Sequence, residues 1–173
     1  YKDINDVSVL AEEFKFCLRE TVLALREVDP LSGLAKFNAV MDEALPAGYI
    51  AAYGNLVRNT GVEGFLDYVV RRDKMLGMEA GGRKLSNNEF EYWIHDPFSD
   101  LASTISEDEY EIISTHGYVA TKMRFFLGRD AENWSVHLEK SPWRGDKASQ
   151  WFMKKGHSAV LEPPKEKAYA AHA

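Results

Sequence analysis

The stretch Glu89-Phe-Glu-Tyr-Trp-Ile-His-Asp96 puts Phe90, Tyr92 and Ile94 on one side and Glu89, Glu91, Trp93 and His95 on the other. A period of two marks a half-buried strand, so one face of this segment belongs to a core. Upstream the period changes. Val7, Leu10, Phe14, Leu18, Thr21 and Leu25 keep three-and-four spacing behind a capping Asp6, which predicts a helix over 7–27. Asp29-Pro30 predicts the cap and first turn of a second helix ending near Leu45, and a third follows over 47–57. Thr60-Gly-Val-Glu63 reads as a capping box that opens a fourth helix with Val62, Phe65, Leu66, Val69 and Leu76 on its buried face. The glycine-rich run 77–82 stops it.

Downstream, Ser106-Glu-Asp-Glu109 is a second capping box. Ile112, Ile113, His116, Val119, Ala120 and Met123 then predict one apolar stripe running to about Phe126, closed by Gly128. Alternation at Trp134, Val136 and Leu138, the turn Pro142-Trp-Arg-Gly-Asp146 and a strand over 149–155 predict a hairpin with Gly145 at positive φ. The expected fold class is α+β: a helical N-terminal half packed with a small antiparallel sheet and one long covering helix. We expect a single domain over 1–155, mainly helical over 7–82 and strand–helix–hairpin over 88–155. Residues 156–173, with Pro163-Pro164 and no apolar period, read as a loosely held tail.

A length of 173 residues fits one domain, and 45% hydrophobic with 28% charged residues predicts a packed core, excluding a disordered chain or a fibre. The net charge of −6 disfavours nucleic acid as a partner, because neutralising phosphates needs a basic face. That charge is divided, with −10 over residues 1–139 and +4 over 140–173. The lone Cys17 excludes an internal disulfide, and neither an export leader nor an 18-residue apolar run is evident. A soluble, cytoplasmic protein with no membrane partner is the expectation.

Histidine is the side chain that titrates near neutral pH, and of the five only His116 falls on an apolar stripe. Such a ring needs a polar partner, as a catalytic base, an axial haem ligand or a histidine bonded to a carbonyl. His95 and His137 fall on the polar sides of their strands, and His157 and His172 lie beyond the last strand. Cys17 reads as a small hydrophobe beside the first helix's buried stripe. No His-x-x-x-His, Glu-x-x-His or Cys-x-x-Cys pair occurs, so neither a metal nor another cofactor is expected. All four tryptophans fall between 93 and 151, among Phe90, Tyr92, Tyr110, Tyr118, Phe125 and Phe126. An aromatic-lined helix over a sheet encloses an apolar interior with few polar groups, the make-up of a small-ligand site.

The segment Arg144-Gly-Asp-Lys-Ala-Ser-Gln-Trp151 resembles the Gly-Asp, two-residue, Cys, one-residue, aromatic ending of the aminothiazoline-carboxylate hydrolases and the related four-vinyl-reductase ligand-binding domains. The likeness covers about residues 60–156. Asp96-Pro97 stands where such proteins often carry Cys-Pro, and Ser149 where they carry the second cysteine. The resemblance implies a compact α+β fold holding a small, largely apolar ligand between sheet and helices. We therefore expect a domain for an aromatic or heterocyclic small molecule, hydrolase-like, with acid–base chemistry by His116 and Asp96 and ligand contacts from Tyr92, Trp93, Tyr118 and Trp151. The alternative is a non-catalytic subunit that forms a homo-oligomer or docks through its helical half.

Overall fold

In the computed structural model, which describes residues 7–40, 43–44, 60–95 and 99–156, the alternating stretch forms β2 (Glu89–His95). Phe90, Tyr92 and Ile94 are buried and the residues between them are not. β1 (Glu79–Ser86) joins β2 on one side through a tight turn, and β4 (Ala148–Lys155) pairs with it on the other. β3 (Trp134–Lys140) completes an antiparallel sheet in the order β1-β2-β4-β3. The expected hairpin is therefore β3–β4, and Gly145 sits in its turn at φ +85°. The register sets Phe90 opposite Met153, Tyr92 opposite Trp151, and Val136 and Leu138 opposite Met153 and Trp151. Large apolar side chains thus form continuous rows across the inner face.

Helices cover that face. α1 (Val7–Val28) and α2, described over 33–40, precede α3 (Gly61–Met75), which packs on β1. Asp29 accepts bonds from the Ser32 amide at 3.1 Å and the Ser32 hydroxyl at 2.6 Å, but residues 30–32 form a turn and α2 begins at 33, later than the expected first turn at Pro30. α3 buries Val62, Phe65, Leu66 and Val69, and lies so close over Gly82 that a Cβ there would meet Leu66 at 3.1 Å. The chain is α+β with its helical half N-terminal. The predicted third helix (47–57), the end of the second beyond 44 and the tail beyond Gly156 lie outside the described residues.

Three expectations change. Thr60 is not the capping-box residue it resembles: Gly61 enters α3 at φ +75°, and the Thr60 side chain makes no capping bond. The helix stops where the run 77–82 predicts, with Gly77 at φ +74°, but residues 79–82 already belong to a strand, whose period of two is hidden by two glycines and polar side chains that burial barely marks. The covering helix, 107–127, is not one regular stripe. It runs as α4 (Glu107–Glu111), a π segment (Ile112–Ala120) and α5 (Thr121–Leu127). Its start is as predicted, since Ser106 and Glu109 bond each other's backbone reciprocally. A π helix carries more residues per turn than an α helix, so positions spaced for 3.6 drift around the axis.

Candidate functional site

The drift decides which side chains face the sheet. Ile113, Ser114 and Thr115 are buried, whereas His116 is only half-buried, which corrects the expectation of a core histidine. Its carbonyl accepts the Thr121 hydroxyl at 2.9 Å, and Asn38 Nδ2 donates to the Ile112 carbonyl at 2.9 Å. Side-chain donors thus meet carbonyls at the start and in the middle of the widened turns.

Beneath the π segment lies an aromatic spine. Tyr92 and Trp151 stack with ring centroids 5.3 Å apart and planes 19° from parallel, and Phe65 meets Tyr92 and Phe126 edge-on at 6.5 and 6.0 Å. The Trp151 indole N–H donates to Thr115 Oγ1 at 2.9 Å. Beside it, Tyr110 donates to Ser149 Oγ at 2.8 Å while its ring stacks on Trp143. Ser149, where the resembled family carries cysteine, is fully buried. Ser114 Oγ lies beside the Tyr110 hydroxyl, yet Ser114 Oγ and Asn38 Oδ1 are buried with no hydrogen-bond partner, which is uncommon in folded interiors.

The other end of the spine is charged. Asp73, on the inward face of α3, is 1% exposed and Lys122, in the first turn of α5, is 4% exposed. The Tyr92 hydroxyl donates to Asp73 Oδ2, and Arg72 reaches Asp73 Oδ1 through Nε at 2.9 Å and through Nη2. Burial raises the Asp73 carboxyl above its ordinary value, against the pull of Arg72, the Tyr92 bond and Lys122. Burial also drives the Lys122 amine well below its ordinary value, reinforced by Arg72 and opposed by Asp73. The Tyr92 phenol is pushed well up by burial and by the neighbouring carboxylate. Each shift favours the uncharged form, as desolvation requires.

Of the expected site residues, the structure brings Tyr92 and Trp151 together. It sets Trp93 apart, a correction that alternation along β2 makes unavoidable: Trp93 lies on the sheet's outer face, over Gly81, where a Cβ would strike the indole at 2.3 Å. Asp96 and the Tyr118 side chain lie outside the described residues. Cys17 is exposed, not packed in the core as expected. Among the described residues, no group of three or more His, Cys, Asp or Glu side chains is placed to hold a metal ion.

Asp73 and Lys122 were missed by sequence reasoning, although a signal exists. Asp73 continues the buried spacing Val62, Leu66, Val69, and Lys122 falls three residues after Val119 and four before Phe126. A charged residue on an apolar stripe needs partners, and here each has the other nearby. No protein-family model matches the chain, and no curated protein is significantly similar to it.

Proposed function

We propose that the space between sheet and covering helix is a small-molecule site, in which an aromatic or heterocyclic ligand lies along the Tyr92–Trp151 spine and undergoes acid–base chemistry at Asp73, Tyr92 and Lys122. The observation that carries this reading is the buried Asp73–Tyr92 bond with Lys122 beside it. Burial moves the Asp73 carboxyl up and the Lys122 amine down, the direction of shift that proton donors and acceptors show at functional sites. The resemblance to small-ligand hydrolases agrees with the reading, with the proton chemistry moved from His116 and Asp96 to these residues. A thermal-shift screen of aromatic and heterocyclic compounds tests it. A ligand at a hundred times its Kd stabilises the native state by about 2.7 kcal/mol, a rise of several degrees. Such a rise, lost in Trp151→Ala variants that still fold, supports the site, and a panel without any stabilising compound contradicts it.

A second reading, association through the helical half, is favoured by the exposure of Phe16, Val28, Leu31 and Val40, of which Val28 and Leu31 are 84% and 86% exposed. Sedimentation velocity tests it. A dimer dissociated by Val28→Asp and Leu31→Glu supports association, and a monomer at every concentration contradicts it.

A further inference from the structure

We propose that the outer face of the sheet, centred on Trp93, is a binding site for a neutral sugar, whose ring stacks on the indole while its hydroxyls meet the polar side chains around it. This site lies across the sheet from the interior one proposed above and does not depend on it. None of the described residues on the outer face is buried, and Trp93 is half-buried there. A Cβ placed on Gly81 would stand 2.3 Å from Cζ2 of the indole, 2.6 Å from Cε2 and 3.0 Å from Cη2. The two ring atoms bonded to Cζ2 are barely farther away than Cζ2 itself, so the contact falls on the plane of the ring and not on its edge. The indole therefore lies flat on the β1 backbone, with its other flat side turned away from the sheet. Gly81 does not take a positive φ, so what this position needs is the missing side chain.

The other three tryptophans spend their indole N–H within the fold: Trp134 donates to Asp130 at 3.0 Å, Trp143 to the Ile105 carbonyl at 2.8 Å and Trp151 to Thr115 at 2.9 Å. That of Trp93 meets no acceptor among the described residues, which leaves a donor at the rim of the flat surface. Polar side chains surround it. Gln150, opposite Trp93 on β4, donates to Glu91 Oε2 at 3.1 Å, and Arg83 Nη2 on β1 meets Glu91 Oε1 at 2.9 Å. On the far side His95 meets the indole edge-on, with centroids 6.3 Å apart, and its Nδ1 lies 4.0 Å from Glu79 Oε2. Each of these side chains holds two or more polar atoms in one plane, the shape that meets adjacent hydroxyls of a sugar ring. The slightly positive C–H groups of that ring suit the negative face of the indole. Charge decides against an ionic ligand. Arg83, the one cation within a register position of Trp93, is already paired with Glu91, and the remaining charge there, Glu79, repels anions.

The experiment uses the isotope-labelled full chain, whose four tryptophans give four indole N–H resonances in the NMR spectrum, that of Trp93 identified by its loss in Trp93→Phe. The probes are the methyl glycosides of glucose, galactose, mannose and N-acetylglucosamine. The expected result is a saturable shift of the Trp93 resonance with at least one of them, at a Kd of about 1–10 mM, the range open to a ligand of that size on an open face. Affinity read from the sugar's own resonances should fall about tenfold or more in Trp93→Ala and about threefold or more in Gln150→Ala, in protein shown to be folded by circular dichroism. Gln150→Ala keeps the test decisive if Trp93→Ala does not fold. No saturable shift with any glycoside, or an affinity that these variants leave unchanged, overturns the inference. A glycoside whose binding survives Trp93→Ala but fails in Trp151→Ala also overturns it and belongs to the interior site. A proline-rich peptide that shifts the Trp93 resonance where no glycoside does overturns the sugar and makes the face a peptide-docking surface.

Discussion

Gly145 and Tyr92 show how differently single residues hold this fold. Gly145 turns at φ +85° with open space around its missing Cβ, so its contribution is conformational alone. Gly145→Val should cost roughly 1–2 kcal/mol or more in urea unfolding, since a β-branched side chain has no easy place in the left-handed region. A neutral result would mean that the β3–β4 turn tolerates another geometry. Tyr92→Phe removes the hydroxyl bound to Asp73 and leaves a buried carboxyl one donor short, so we expect a loss of about 1–3 kcal/mol despite the unchanged ring stack. Equal midpoints for the two proteins would refute that hydrogen bond. Gly145 was legible because a Gly-Asp turn between two alternating runs has few solutions. His116 was misread because its place on the stripe assumed 3.6 residues per turn. Asp73 and Lys122 were visible as interruptions of apolar faces, but only the fold reveals that α3 and α5 bring the two interruptions together.

Among the elements, those with a clean period or cap were legible: α1, α3, β2, the β3–β4 hairpin and the start of the covering helix. Ser106→Ala should cost about 1 kcal/mol, because the Glu109 amide loses the Ser106 oxygen at 3.2 Å and one half of the capping box disappears. A change below a few tenths, read from denaturant midpoints, would show that α4 draws its stability from packing instead. Glu109 is held in place twice more, since Arg26 of α1 meets it at 2.6 and 2.9 Å; burial opposes its charge, but these bonds win and its carboxyl titrates below the ordinary value. β1 was invisible because Gly81 and Gly82 carry no side chain to show alternation, and their role is spatial: one lies under Trp93 and the other under α3. The π segment was invisible for another reason. Its widened turns carry no residue signature that a single sequence displays, and are fixed by what the helix meets, the Thr115–Trp151 bond and Asn38 included.

Over the whole molecule, the interior cluster should govern how stability changes with pH. The Lys122 amine titrates well below its ordinary value in the fold, so between that folded value and the unfolded value near 10.4 the unfolded chain binds more protons and stability rises with pH. Tyr92 has the opposite sign: its raised phenol favours the fold below about pH 10 and loses that contribution as the pH climbs through its folded value. Asp73, also raised, favours the fold in acid and loses its contribution as pH rises through its own folded value. Urea unfolding from pH 7 to 10 should therefore show increasing stability in the wild type and a flatter profile in Lys122→Met, while a falling wild-type profile would contradict the assignment. The same variant tests the central claim, that this lysine is kept for chemistry and not for folding. Met matches its length and removes an amine whose burial is costly, while Asp73 keeps Arg72 and the Tyr92 hydroxyl as partners. The decisive measurement is the unfolding free energy of Lys122→Met at pH 7. We expect stability equal to or above that of the wild type, and a loss of about 3–5 kcal/mol, the cost of breaking a buried ion pair, would contradict this role by making Lys122 a structural counter-ion.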